Sequence, residues 1–268
     1  LYKEALEKDN GLLDAMFAIA WARMRYDYEE SMEYNEKLKC YLDENPEHER
    51  FNFFLTRYYS CKGWIYQEKI AKYNGTHKDK KDFKPARNEF KKALSISKEN
   101  DLKKLERDQL HNIARTYMID KSYEKHDEFA FKSLAVTELL SDIEPDMTWA
   151  NLAHSYILQK KYDLAKKYLD LALAPLLKNQ FQMGLMHIYS LYVKYYFDFS
   201  GDLKSGHEFF DKFEKIAINM EHWGYYAGIC SHLSEYYKRN NDIEKSNYYN
   251  DLKIKYVEKR DNRNQKHG

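Results

Sequence analysis

Two asparagines stand at matching positions of the sequence and could bind the backbone of an extended peptide. Asn112 and Asn151 are 39 residues apart, and Arg115 and His154 each follow three residues later. A carboxamide carries a donor and an acceptor at one site, so it can bond both N–H and C=O of a peptide. Asn is a poor helix-interior residue, because its side chain competes for backbone hydrogen bonds. The pair therefore favours a binding surface, with a solvated or inter-helix asparagine as the plainer alternative.

Other residues at or near the same positions complete this candidate peptide-binding set. Arg115 could bind a carboxylate through two parallel hydrogen bonds, although a surface salt bridge explains it almost as well. The histidines have packing or solvent exposure as their alternative, and Tyr189 fits a core position better than a ligand contact. The remaining candidates are His111, Gln67, Trp64, Tyr189 and His232.

Motifs for catalysis or metal binding do not occur in the sequence. It contains no HExxH, GxSxG or P-loop pattern, and its histidines lack partners at metal-ligand spacing. The three cysteines, Cys40, Cys61 and Cys230, form no CxxC pair and indicate reduced core thiols of a cytoplasmic protein. We therefore expect no catalytic residue, no metal and no cofactor.

A repeated pattern of small and aromatic residues must position these side chains. In the clearest copy, Ala153 precedes Tyr156 by three residues, Tyr162 precedes Ala165 by three, and Ala172 follows seven later. Small residues at such places let two antiparallel helices approach closely. Each copy is therefore predicted to be a helix hairpin, with the asparagines on its first helix.

The copies recur every 39 to 42 residues. Ala114, Ala153, Tyr192 and Ser234 mark the corresponding first-helix positions, with a turn at 201–203 in the third copy. Weaker copies start at Ala20 with Trp21 and at Gly63 with Trp64, whose second helix should begin near Phe83 with Pro85 in its first turn. About six hairpins result. The alternative, a helical bundle without repeat stacking, explains the spacing less well.

Composition supports an all-α chain of this kind. Only 9 Gly and 4 Pro occur among 268 residues, and 44 Lys+Arg against 43 Asp+Glu leave a net charge of +1. No basic bias favours direct nucleic-acid binding, and no apolar stretch is long enough to span a membrane. Pro46 and Pro145 should separate repeats, and Pro175 should interrupt the end of a second helix. Residues 1–50 are expected to form a first hairpin or connecting bundle, and residues 51–268 the repeat domain, with a polar insertion at 74–81.

The helix-hairpin pattern resembles the tetratricopeptide repeat, and its long period resembles one family in particular. The usual tetratricopeptide period is about 34 residues. Periods near 40 are similar to those of the intracellular peptide-pheromone receptors of Gram-positive bacteria, the Rap, NprR, PlcR and PrgX type. The likeness is most specific over residues 102–260, and residues 225–256 are similar to the closing repeats of that family.

The resemblance implies a right-handed superhelix that binds a short linear signalling peptide in its concave groove, commonly as a homodimer. Groove asparagines serve this purpose in the family, and Asn112 and Asn151 match that pattern. The output would be quorum-sensing control of DNA or of a response regulator, through a segment missing before Leu1. The phosphatase activity of the Rap branch needs a Gln in an N-terminal bundle; the earliest Gln here, Gln67, lies in a repeat helix, so that activity is not carried over.

Two other functions stay open at this stage. A generic scaffold or co-chaperone would clamp a C-terminal carboxylate, but it needs a Lys or Arg in the repeat after Asn151, where Met186 and Ser190 stand. A Rap-type enzyme or inhibitor would act on a response regulator instead.

Overall fold

The computed structural model describes residues 11–24, 27–73, 82–140 and 146–267, with side chains left out at 69–73 and 263–267. All secondary structure in these ranges is helical, which confirms the all-α prediction. The chain divides into two compact units, Leu1–Ile143 and Glu144–Gly268. The helices are α1 (Leu12–Arg23), α2 (Tyr28–Glu44), α3 (Phe51–Tyr73), α4 (Lys84–Glu99), α5 (Lys103–Ile119), α6 (Tyr123–Thr137), α7 (Asp146–Leu158), α8 (Tyr162–Lys178), α9 (Gln182–Tyr195), α10 (Leu203–Asn219), α11 (Trp223–Arg239) and α12 (Ile243–His267).

Consecutive helices pair into hairpins within each unit. The first unit holds α1 with α2, α3 with α4 and α5 with α6; the second holds α7 with α8, α9 with α10 and α11 with α12. The prediction of about six hairpins is confirmed over the described part of the chain. The predicted boundary at residue 50 falls between α2 and α3, inside the first unit, and stays a prediction. The polar insertion at 74–81 and Pro145 lie outside the described residues.

The turns inside the later hairpins share one backbone design. One residue in each turn takes a left-handed conformation, with φ of 59° at Lys121, Lys160 and Asn241, and 73° at Gly201. In the Lys160 turn, the next N–H, of Lys161, donates to Tyr156 O at 2.8 Å and ends the helix. The predicted turn at 201–203 is thereby confirmed. It follows the helical turn at 196–200 and ends where α10 begins.

Prolines agree with the prediction at two places and not at a third. Pro46 lies between α2 and α3, and Pro85 lies in the first turn of α4. Pro175 does not interrupt its helix, because α8 continues to Lys178. A proline removes one backbone donor but keeps its carbonyl. Pro175 O accepts from Asn179 N at 2.9 Å, so the last turn closes normally.

Small residues lie where the paired helices approach. Ala20, Ala114 and Ala153 are at most 2% exposed. A Cβ added to Gly63 would lie 2.6 Å from the Phe90 ring of α4, closer than any carbon–carbon contact allows. The predicted small-residue positions are thus the places where each first helix meets its partner.

The cysteines are all free thiols, but only two match the predicted core positions. Cys61 and Cys230 are buried, and burial raises the pKa of each thiol to about 12. Cys40 is exposed on α2, so its prediction as a core residue was wrong. Its helix turns this position towards solvent, between the buried Leu38 and Leu42.

Substitution of the helix glycines tests the close approach. Gly63→Ala should lower the free energy of unfolding by about 1–2 kcal/mol, because overpacking outweighs the gain in helix propensity. Gly228→Ala in α11 is the matched control, since a Cβ there meets nothing within 4 Å. It should raise the free energy of unfolding by about 0.5–1 kcal/mol. Urea unfolding measures both, and equal effects of the two substitutions would contradict the packing.

Candidate functional site

Three exposed or half-buried side chains line up across the first helices of the first unit. The Trp21 ring of α1 lies 6.2 Å from the Trp64 ring of α3, edge to face. The Arg115 guanidinium carbon of α5 lies 4.7 Å from the Trp64 ring centroid. Trp21 is 44% exposed. We call Trp21, Trp64 and Arg115 the unit-1 stripe.

The repeat register explains why these residues meet. Each stripe residue directly follows a packing position: Trp21 follows Ala20, Trp64 follows Gly63, and Arg115 follows Ala114. One residue further along a helix is a rotation of about 100°, away from the partner helix. The same spacing therefore brings two predicted candidates, Trp64 and Arg115, into contact.

Carboxamides lie next to the unit-1 stripe on the same two helices. Gln67, one turn after Trp64, is 5% exposed, and its Nε2 has no hydrogen-bond partner among the described residues. Asn112, one turn before Arg115, is 6% exposed and donates from Nδ2 to Gln109 Oε1 at 3.5 Å. His111 beside it is half-buried. An unpaired buried donor carries a desolvation cost that a ligand carbonyl would relieve.

The second unit carries a different row across its first helices. The His154 ring of α7 lies 5.5 Å from the His187 ring of α9. His187 Nδ1 lies 2.8 Å from Tyr225 Oη of α11. We call His154, His187 and Tyr225 the unit-2 stripe. Its side chains are imidazole and phenol, so it offers hydrogen bonds where the unit-1 stripe offers a guanidinium and indoles.

The protons of the unit-2 stripe follow from its hydrogen bonds. Ser190 Oγ lies 2.6 Å from both His187 O and Tyr225 Oη. The carbonyl only accepts, so the single Ser190 proton goes to it. Tyr225 then donates to Ser190 Oγ, and His187 Nδ1–H donates to Tyr225 Oη. Satisfying all three contacts places a proton on His187 Nδ1.

Two of the predicted binding residues in the second unit, Tyr189 and His232, lie outside the unit-2 stripe. Tyr189 is 8% exposed, and its ring lies 5.7 Å from Phe209 of α10, inside the hairpin. His232 Nε2 lies 3.4 Å from Asp198 Oδ2. Burial lowers the pKa of His232, and the Asp198 carboxylate opposes that shift. Asn151, 6% exposed, lies one turn before His154 on α7.

The sequence pattern missed Trp21, His187 and Tyr225. Trp21 could have been found, because it follows Ala20 in the same register as Trp64 and Arg115. No repeat position indicated His187 or Tyr225. On α9 the packing position holds Tyr192, which stacks on Phe209 at 4.2 Å, and the residue after it, Val193, is fully buried. The half-buried unit-2 stripe therefore includes His187 of α9 instead.

The described part of the chain has no metal cluster and no membrane-spanning helix, and its surface is concave between α1 and α2. No group of three or more His, Cys, Asp or Glu is placed to hold a metal ion within those residues. None of the described helices is long and apolar enough to cross a membrane. A shallow concavity of about 470 Å³ between α1 and α2 includes Glu36, which already bonds Tyr58 and Lys62.

Removal of the Tyr225 hydroxyl tests the proton assignment. Tyr225→Phe should lower the free energy of unfolding by about 1 kcal/mol. It also deprives His187 Nδ1–H of its acceptor, so the His187 tautomer should shift towards Nε2–H in nitrogen NMR spectra. Tyr248→Phe is the control, because Tyr248 is 58% exposed. Unchanged His187 nitrogen shifts in Tyr225→Phe would contradict the network.

Comparison with known proteins gives matches of structure but not of sequence. No protein-family profile matches the chain, and no curated protein sequence does so. The structure is similar to the apo form of RapI, with a TM-score of 0.70 and 17% identity over 99% of this chain and 89% of that one. It is similar to aspartyl phosphate phosphatase F from Bacillus subtilis, with a TM-score of 0.69 and 17% identity over 92% of this chain and 60% of that one.

A third match is a Rap protein complexed with competence and sporulation factor. Its TM-score is 0.69 at 16% identity, covering 100% of this chain and 70% of that chain. At these identities the likeness establishes a shared fold. The predicted resemblance to the Rap type is therefore confirmed for the fold, and the chain spans 60% of the length of the phosphatase it matches.

Proposed function

We propose that this chain is a peptide-binding regulatory protein of the Rap type, which takes a short linear peptide on its first helices. The unit-1 stripe carries the proposal. Trp21, Trp64 and Arg115 lie side by side on three successive first helices, with Trp21 44% exposed. Tryptophan and arginine supply much of the binding energy at protein interfaces, because both combine apolar area with hydrogen-bonding groups.

The stripe is suited to a ligand because its parts are already ordered. Arg115 packs against the Trp64 ring at 4.7 Å, a cation–π contact. Such contacts stabilise an exposed pair by about 0.5–1 kcal/mol. Holding the guanidinium in place lowers the entropy that a ligand must overcome on binding. The planar group can still donate two parallel hydrogen bonds from its edge to a carboxylate.

The carboxamides would hold the peptide backbone. Gln67 and Asn112 lie one turn from the stripe in the first unit, and Asn151 lies one turn from His154 in the second. Each amide can accept from a peptide N–H and donate to a peptide C=O, without regard to the peptide's side chains. Side-chain selection then falls to the stripe of the unit that binds the peptide.

The shared fold supports a ligand-binding role, since one protein with this fold is complexed with competence and sporulation factor. We include in the proposal a quorum-sensing output and a homodimer. A co-chaperone clamp is less favoured, because Met186 and Ser190 after Asn151 are uncharged and at most 1% exposed.

A second candidate function is binding to, or dephosphorylation of, a response regulator. An aspartyl phosphate phosphatase has this fold, and an aspartyl phosphate is the activated group of a response regulator. The first glutamine of the chain, Gln67, is buried on α3. Phosphate release from a phosphorylated receiver domain, measured with the purified chain, would favour this candidate.

Truncation of the asparagines tests the peptide site. Peptides that co-purify with the protein are identified by mass spectrometry, synthesised and titrated by calorimetry. Replacement by Ala of the asparagine in the unit that binds the peptide, Asn112 or Asn151, should weaken binding about 5- to 150-fold, the loss of roughly 1–3 kcal/mol.

The control for this titration is Asn247→Ala, an exposed asparagine on the second helix α12. It should bind with wild-type affinity. Unchanged affinity in both Asn112→Ala and Asn151→Ala, with normal helicity, would overturn the assignment of these residues.

A further inference from the structure

Arg57 occupies the same face of α3 as Trp64, two turns earlier. Its guanidinium carbon lies 5.1 Å from the ring centroid of Phe17, on α1, and 5.3 Å from that of Phe53. Two aromatic rings therefore fix the position of a half-buried cation. The sequence pattern did not single out this residue.

The guanidinium of Arg57 has no hydrogen bond or ion pair with any described residue, and its Nε is buried without a partner. Burial lowers the pKa of Arg57, and the nearby Asp108 carboxylate opposes that shift. Guanidinium groups withdrawn from water normally find a carboxylate or several carbonyl oxygens. Among the described residues, no acceptor uses the hydrogen-bonding capacity of this one.

Asp108 does not neutralise the site, because it is shared with a second arginine. Its Oδ1 accepts from Arg107 at 2.6 Å. Burial raises the pKa of Asp108, while Arg107 and Arg57 lower it. Arg107 Nε is also buried without a partner among the described residues. Two arginines and one aspartate leave a net charge of +1, which matches one added carboxylate.

The site continues the surface of the unit-1 stripe. Arg57 precedes Trp64 by seven residues on α3, and Asp108 precedes Arg115 by seven on α5. Seven residues of α-helix rise about 10 Å. An extended peptide covers that distance in about three residues. A peptide lying along the two helices could therefore contact both places.

We propose that Arg57 binds a carboxylate of the peptide ligand, so that the first unit selects peptides bearing an acidic group. The inference rests on the proposed peptide-binding function and specifies the chemistry of its ligand. The flat guanidinium edge fits a carboxylate bidentately. A phosphate dianion would overcompensate the single positive charge and lie against Asp108, so a carboxylate fits better.

The test uses synthetic hexapeptide pools. One pool contains Asp and Glu and has a free C-terminus; a second contains them and is amidated. A third replaces them by Asn and Gln with a free C-terminus, and a fourth does so and is amidated. The full chain is incubated with each pool and separated by size exclusion, and the retained peptides are quantified by mass spectrometry.

Wild-type protein should retain carboxylate-bearing peptides about 10- to 100-fold better than the fourth pool, as expected for a charged hydrogen-bonded pair. The second and third pools show whether the group is a side chain or the C-terminus. Arg57→Gln should lose this preference and still retain carboxylate-free peptides. Arg50→Gln is the control, because Arg50 of the same region already pairs with both Asp14 oxygens, at 2.8 and 3.2 Å.

Persistence of the wild-type preference in Arg57→Gln would overturn the inference, as would a wild-type preference for carboxylate-free peptides. If Arg57→Gln loses helicity, Arg57→Lys decides, since it keeps the charge without the flat edge. A reduced preference of Arg57→Lys for carboxylate-bearing peptides supports the inference, and an unchanged preference overturns it. Retention of no peptide from any pool by wild-type protein would instead contradict the proposed function itself.

Discussion

The close approach of paired helices at small residues is the constraint on which the rest of the structure depends. At Gly63 the Phe90 ring occupies space that a Cβ would need, and Ala114 and Ala153 are buried at the equivalent places. Once that contact fixes the rotation of a first helix, the next residue is turned about 100° away from the partner helix. Trp64, Arg115 and His154 stand at that position, so packing inside each hairpin decides which side chains are offered to a ligand.

The two units use this arrangement for different chemistry. In the first, aromatic rings hold two guanidinium groups, Arg57 and Arg115, in fixed positions. In the second, His187 and Tyr225 are fixed by hydrogen bonds through Ser190. Ordered side chains lose less entropy on binding, which favours recognition of a flexible ligand such as a peptide. Under the proposed function, the carboxamides of each unit would bond the ligand's backbone, which has the same donors and acceptors whatever its sequence.

Local spacing made the hairpins and turns predictable, because small residues, turn residues and prolines act within a few positions of themselves. The contact of Trp64 with Arg115 follows from the same register. The α9 surface could not be predicted, since Tyr192 fills a place that alanine fills elsewhere and a π-helical turn, Tyr196–Ser200, follows. The Arg57 site could not be predicted from the sequence either, because its charge balance depends on packing among three helices. The predicted interruption at Pro175 was wrong, because a proline near the end of a helix removes only one backbone donor.

Photo-crosslinking of a co-purified peptide tests the central claim, that the first helices bind the ligand. A benzophenone-bearing derivative is bound at saturation, irradiated and mapped by mass spectrometry. Adducts should fall on α1, α3 and α5, or on α7, α9 and α11, and unlabelled peptide should suppress them. Adducts confined to the second helices α2, α4, α6, α8, α10 and α12, with the same suppression, would contradict the account.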